Sequence, residues 1–121
     1  MVLGVGTDIV EIERIEKAIR KEQFRKKCFT ETELAYLYKK KANSYAGYFC
    51  AKEAAAKALG RGFKGLGLKD IEIQNNEFGK PVLLFYNNAL EISKQLKVGG
   101  VYVSISHSQS YATAVVVIES F

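Results

Sequence analysis

The sequence predicts a single α+β domain, a mostly antiparallel sheet packed with helices, and three observations predict it. The chain has 121 residues, the size of one domain. Its apolar spacing switches between a period of two and a period near 3.6, in the order strand, three helices, two strands, helix, two strands. The last two strands follow one another through a short polar turn with no crossover helix between them, which argues against a doubly wound sheet.

Each element follows from its residues. Residues 2–10 read as a strand, with Leu3, Val5, Thr7 and Ile9 on one face and Gly4, Gly6 and Asp8 on the other. From Glu11 the period changes, and Ile12, Ile15 and Ile19 place a helix over roughly 11–26. On that helix Arg14, Lys17, Lys21 and Arg25 share a narrow arc away from the isoleucines. Thr30-Glu31-Thr32-Glu33 has the form of a capping box opening a helix to about Lys40, with Leu34, Leu37 and Tyr38 inward and Lys39-Lys40-Lys41 at its negative end. The alanine-rich run Ser44 to Leu59 is the strongest helix, ending at Gly60, and the four glycines of 60–67 demand an irregular loop. Asp70 to Gln74 and Pro81 to Tyr86 are two strands, and a helix over 88–97 runs through Leu90, Ile92 and Leu96. Val101 to Ser106 and Ala112 to Ile118 form a closing hairpin around Ser108-Gln109-Ser110.

Composition narrows the function. Apolar residues at 48% and charged residues at 26%, with one Pro and fourteen Phe and Tyr, describe a folding domain rather than a disordered one. No apolar run approaches the roughly 20 residues that cross a bilayer. The start, Met1-Val2-Leu3-Gly4, lacks the basic region of a signal peptide. Cys28 and Cys50 stand far apart with no His beside either, which fits a reducing cytoplasm and neither a disulfide framework nor a zinc site. The net charge of +5 suits an acidic partner or a phosphate ligand.

Four stretches carry chemistry. Asp8, in Gly6-Thr7-Asp8 at a strand end, either caps the following helix or projects a carboxylate into a cleft. In Phe49-Cys50-Ala51-Lys52-Glu53-Ala54-Ala55-Ala56-Lys57, Glu53 and Lys57 either form an ordinary surface ion pair four residues apart, or Glu53 joins Asp8 to hold a hard cation while Lys57 contacts phosphate. The turn Glu77-Phe78-Gly79-Lys80-Pro81 is a plain loop or one that lays backbone N–H groups and an ammonium against an anion. His107, the single histidine, ends Ser104-Ile105-Ser106-His107-Ser108 as a structural imidazole or as part of a polar site. No Walker loop, GxGxxG, GxSxG or nucleophilic Cys–His pair is present.

Taken in order, these stretches resemble the holo-acyl-carrier-protein synthases, the small group of 4′-phosphopantetheinyl transferases. The family signature pairs G-x-D and an Arg six residues on with an F-x-x-K-E-A-x-x-K helix. Here these are Gly6, Asp8 and Arg14, then Phe49, Lys52, Glu53, Ala54 and Lys57. The resemblance implies transfer of phosphopantetheine from coenzyme A to a serine hydroxyl of an acidic apo acyl carrier protein, a step of fatty acid biosynthesis. It implies Mg2+ on Asp8 and Glu53, with Lys57 near the diphosphate. It places Gly79, Lys80, Pro81, Ser106 and His107 around coenzyme A, and leaves the base open among Glu53, His107 and a metal-bound water. It places Arg14 against the carrier protein, with which the arc of Lys17, Lys21 and Arg25 agrees. It also implies a homotrimer with each site at a subunit boundary. One position departs: Tyr48 stands where the family often has an Arg that contacts the nucleotide, so Lys39, Lys40 or Lys41 is left to meet the 3′-phosphate. Two rivals from other classes are a small basic nucleic-acid-binding module and a non-catalytic carrier-protein-binding module. The first lacks zinc-finger spacing, a KH-type GxxG and an RNP-like strand, so no nucleic acid is expected. Against the second stand the intact Asp8, Glu53 and Lys57.

Overall fold

Two glycines on the first strand decide where the longest helix lies. In the computed structural model, which describes residues 1–121, β1 (Val2–Glu11) carries Gly4 and Gly6 on the face that meets α4 (Ala42–Ala58). A Cβ at Gly6 would stand 1.8 Å from the Ala54 carbonyl oxygen, and one at Gly4 2.1 Å from that of Ala58. Strand and helix backbones therefore touch, and the helix answers with alanines: Ala46, Ala51, Ala54, Ala55 and Ala58 are all buried.

Between these elements run α1 (Ile12–Ala18), α2 (Glu22–Cys28) and α3 (Glu31–Leu37). After α4 come a single 3-10 turn at Leu68–Asp70, β2 (Ile71–Asn75), β3 (Pro81–Phe85), α5 (Asn87–Gln95), β4 (Val98–His107) and β5 (Tyr111–Ser120). The strands form two antiparallel sheets, β1-β5-β4 and β2-β3. The register Asp8↔Ala114↔Ile105 sorts the larger sheet into two faces. Gly4, Gly6, Asp8 and Val10, the even residues Ala112 to Ile118, and Val103, Ile105 and His107 lie on the face covered by α4. The opposite face holds Val5, Thr7, Ile9, Thr113, Val115, Val117, Tyr102, Ser104 and Ser106, and nothing in the chain covers it: Val5 is 58% exposed and Ile9 62%. The strand therefore turns its larger apolar side chains outward and its glycines inward. No helix is long and apolar enough to cross a membrane.

The α+β class and the antiparallel pairing hold, and so does the capping box: Glu33 N–H donates to Thr30 Oγ1 at 3.1 Å and Thr30 N–H to Glu33 Oε1 at 2.9 Å. Two local expectations fail. The helix over 11–26 breaks into α1 and α2 at Ile19–Lys21. Phe24 turns inward onto Phe29 and Phe49, with ring centroids at 6.4 and 6.0 Å, and the Arg25 guanidinium donates to the freed Ile19 carbonyl. Tyr38 is 74% exposed rather than inward, because α3 ends at Leu37. On α5, Ala89, Ile92 and Ser93 face the core while Leu90 and Leu96 stay exposed.

Candidate active site

Asp8 leaves β1 on its covered face, against the C-terminal half of α4. Lys57 on α4 reaches across to the strand, its Nζ 2.9 Å from the Thr7 carbonyl oxygen and 3.4 Å from Asp8 Oδ1. The lysine side chain is 53% exposed and that of Asp8 18%, so the pair sits at the mouth of a cleft. No Glu53–Lys57 pair forms, and Glu53 takes part in no ion pair. Burial and the Asp8 charge hold the Glu53 carboxyl above its ordinary value, against the opposing pull of Lys57 and Arg14. Asp8 does not cap the following helix: the α1 N-cap is Glu11, without a side-chain cap bond, and the Asp8 carboxylate lies beside Lys57 instead.

The donor set fits a hard cation. Asp8 on β1 and Glu53 on α4 lie near enough for the charge of one to act on the other, with no third His, Cys, Asp or Glu completing a cluster. Magnesium takes such a pair and keeps its other positions for water and phosphate oxygens, whereas calcium and zinc sites need more protein ligands. Cys50 lies below the pair; burial and the negative Asp8 push its thiol up to about 12, and its Sγ–H donates to the Ala112 carbonyl at 3.3 Å, so it is a packed neutral group. A cavity of about 470 Å³ opens beside Asp8 and Lys57 and also takes in Thr7, Ile9, Ser104 and Ser106.

The remaining site residues gather elsewhere. Tyr48, Gly79, Pro81 and His107 line a second cavity of about 170 Å³ at the N-terminal end of α4. His107 of β4 pairs with Ala112 and Asp8 of β1 with Ala114, both on β5, which runs between the two strands. At about 4.8 Å per strand, the two edges lie roughly 10 Å apart with α4 over the middle. Ser106 and His107 alternate to opposite faces, so Ser106 joins the first cavity and His107 the second. The chain gathers Asp8, Glu53, Lys57 and Arg14 at one edge of the sheet and Tyr48, Gly79, Pro81 and His107 across β5 from them.

In the second cavity Tyr48 is 4% exposed, stacks on Tyr36 at 5.6 Å between centroids, and donates its hydroxyl to Asn75 Oδ1. Burial raises its phenol well above the usual range, so it stays neutral. No Lys or Arg lines this cavity. Lys40 lies over the Tyr36 ring at 4.9 Å and Lys39 beside Tyr38 at 6.0 Å; Lys41 and Lys80 are exposed at the rim, and the Lys80 side chain lines neither cavity.

The basic arc does not survive the break at Ile19. Arg14 and Lys17 stay together on α1, Lys17 pairing with Glu13 at 3.3 Å. Lys21 lies in the turn and Arg25 is spent on the Ile19 carbonyl. One residue of the signature helix had been given no role of its own. Lys52 is completely buried, its Nζ 2.6 Å from Glu33 Oε1 and 2.6 and 3.0 Å from the Ile71 and Leu68 carbonyl oxygens. The capping box accounts for only one face of Glu33, and the acceptors for Lys52 come from residues 16 and 19 positions away, beyond the reach of any helical spacing.

Fold and site define a class: a small α+β enzyme whose paired carboxylates and lysine suit phosphate chemistry. The 4′-phosphopantetheinyl transferase superfamily model matches residues 4–116. The holo-[acyl-carrier-protein] synthases of Clostridium beijerinckii and Fusobacterium nucleatum are 48% and 45% identical to the chain, covering 99% and 98% of it and 99% of their own lengths. Among solved structures, the Bacillus anthracis synthase in complex with CoA (3′,5′-ADP) matches with TM-score 0.85 at 36% identity, over 100% of this chain and 99% of that one. The Neisseria meningitidis synthase matches with TM-score 0.91 at 31% identity, over 99% and 100%. The chain belongs to the 4′-phosphopantetheinyl transferase superfamily, in its holo-[acyl-carrier-protein] synthase family.

Proposed function

We infer that this chain transfers the 4′-phosphopantetheine group of coenzyme A to a serine hydroxyl of apo acyl carrier protein, with Mg2+ held by Asp8 and Glu53. The observation that carries the reading is the acidic pair under Lys57, in a chain 45–48% identical along its length to holo-[acyl-carrier-protein] synthases. A bound Mg2+ would neutralise the diphosphate and ease departure of its leaving oxygen. Lys57, half-exposed and weakly tied to Asp8, is free to turn its ammonium to a phosphoryl oxygen. The serine oxygen bonds to the β-phosphorus, the bridging P–O bond breaks, and adenosine 3′,5′-bisphosphate leaves. The serine proton passes to a base drawn from Glu53, His107 and a water on the cation. Arg14 and Lys17 offer the cationic face of α1 to an acidic carrier protein.

The split of the site supports a homotrimer. A nucleotide in the cavity of Tyr48, Gly79, Pro81 and His107 reaches an acidic pair most simply on a neighbouring subunit. The uncovered apolar face, with Val5, Ile9 and Tyr102, offers the surface for that contact. His107 would then serve a site completed by a second copy. The two free buried cysteines support a reducing, cytoplasmic setting.

Intact mass of an apo carrier protein tests the reaction: incubated with this chain and coenzyme A, it gains one phosphopantetheine with Mg2+ and none with chelator. No gain with several carriers overturns the reading. Tyr48 leads to a separate expectation. With no cation lining the second cavity, only exposed lysines meet a 3′-phosphate, and exposed pairs contribute at most about 1 kcal/mol. The kcat/KM for coenzyme A therefore exceeds that for 3′-dephospho-coenzyme A by less than about tenfold. A preference above a hundredfold would locate a committed phosphate ligand elsewhere.

A further inference from the structure

The buried lysine beside Glu53 has a role that the reaction itself does not use. Its ammonium donates three hydrogen bonds, to Glu33, Leu68 and Ile71, which fills all three of its protons. Glu33 is equally buried and accepts in addition from the Thr30 and Ile73 amides, at 2.9 and 2.7 Å. Around it Thr30 Oγ1 donates to Glu72 Oε2 at 2.6 Å and Gln74 Nε2 to Glu72 Oε1 at 2.7 Å. No buried side-chain polar atom of the chain lacks a partner. The network ties α3, the 68–71 segment and β2 to one point in the middle of α4.

That point matters because the rest of the helix is smooth. Towards β1 it presents alanines against glycines, a contact that sets the distance between helix and strand but offers few ridges to resist rolling. Glu53 follows Lys52 directly, about 100° further round the same helix. A roll of about 10° moves a side chain about 6 Å from the axis by roughly 1 Å, and misplacements of that size cost catalytic groups dearly.

We propose that Lys52, anchored by Glu33, is a positioning residue that fixes the roll of α4 and so holds Glu53 at its working distance from Asp8. The proposal rests on the reading of Asp8 and Glu53 as a cation site, and the test separates the two. Mn2+ binding is followed by loss of the free-ion EPR signal in wild type, Glu33→Gln, Lys52→Met and Asp8→Ala, beside steady-state transfer kinetics. Ile92→Ala, a core truncation on α5, serves as a control for lost stability. All are assayed where circular dichroism shows them folded, and the isosteric Glu33→Gln carries the test should Lys52→Met not fold. Glu33→Gln is expected to weaken Mn2+ binding at least tenfold and lower kcat ten- to a hundredfold, with KM for coenzyme A and carrier within threefold. Ile92→Ala is expected to keep both within twofold of wild type. Folded Glu33→Gln and Lys52→Met with wild-type Mn2+ affinity and kcat overturn the proposal, as does an equal loss in Ile92→Ala. Wild type that binds no more Mn2+ than Asp8→Ala defeats the cation reading instead, and kcat in Glu33→Gln then decides the positioning role alone.

Discussion

Glu53→Gln abolishes transfer, with kcat falling by about a thousandfold or more, while the protein folds as before. Loss of one electrostatic contact to a developing charge costs about 10²–10³ in rate, and here a charged ligand of the cation goes with it. The fold is spared because Glu53 makes no ion pair and packs no core. Its raised pKa gives the stability effect a definite sign. A carboxyl whose folded pKa lies above its unfolded one penalises the folded state while ionised, so the metal-free protein gains stability as pH falls through the folded value. Glu53→Gln removes that penalty. In metal-free buffer the variant should melt above wild type at pH 8 and level with it at pH 4. Mg2+ should raise the wild-type Tm at pH 8, do little at pH 4, and leave Glu53→Gln unmoved. Transfer within tenfold of wild type, or a variant that melts lower at pH 8, would sink both the metal ligand and its electrostatics.

What could be read in the residues was whatever local spacing controls. The Thr30–Glu33 box, the alanine helix and the closing hairpin each depend on contacts a few positions apart, and each stands where the pattern puts it. Asp8 and Glu53 were legible as a pair only through the order of two motifs, since their meeting depends on how β1 lies under α4. The break at Ile19 was hidden because Ile12, Ile15 and Ile19 keep helical spacing to its edge; an aromatic contact from Phe24 to Phe49, far along the chain, decides it. The division of the site was hidden for another reason. Ser106 and His107 are neighbours in sequence, and period-two alternation sends them to opposite faces. The Lys52 anchor is the extreme case. A lysine between Ala51 and Glu53 reads as solvated, and only the approach of two carbonyls from the 68–71 segment makes its burial tolerable.

Gly6→Ala is expected to damage stability more than any other single methyl group added to this chain. The new Cβ would fall 1.8 Å from the Ala54 carbonyl oxygen and 2.7 Å from the Ala58 nitrogen, and both are helix backbone, which cannot swing aside as a side chain can. β1 must withdraw from α4 by more than an ångström, opening the alanine contact along its length. Overpacking of this kind costs about 3 kcal/mol or more, a large share of the roughly 5–15 kcal/mol that holds a small domain together. Asp8 lies two residues on, so the same withdrawal carries it away from Glu53 and lowers kcat in whatever fraction stays folded. Gly60→Ala separates this steric effect from the general cost of losing a glycine. Gly60 has a φ of +79° and open space around its Cβ position, so alanine there pays only for the left-handed backbone, about 1 kcal/mol. Urea unfolding should show the midpoint of Gly6→Ala displaced at least twice as far as that of Gly60→Ala, with transfer activity lost only in the former. Equal displacements would mean that β1 and α4 are not in backbone contact, and that Asp8 is brought to Glu53 by something other than the glycines beside it.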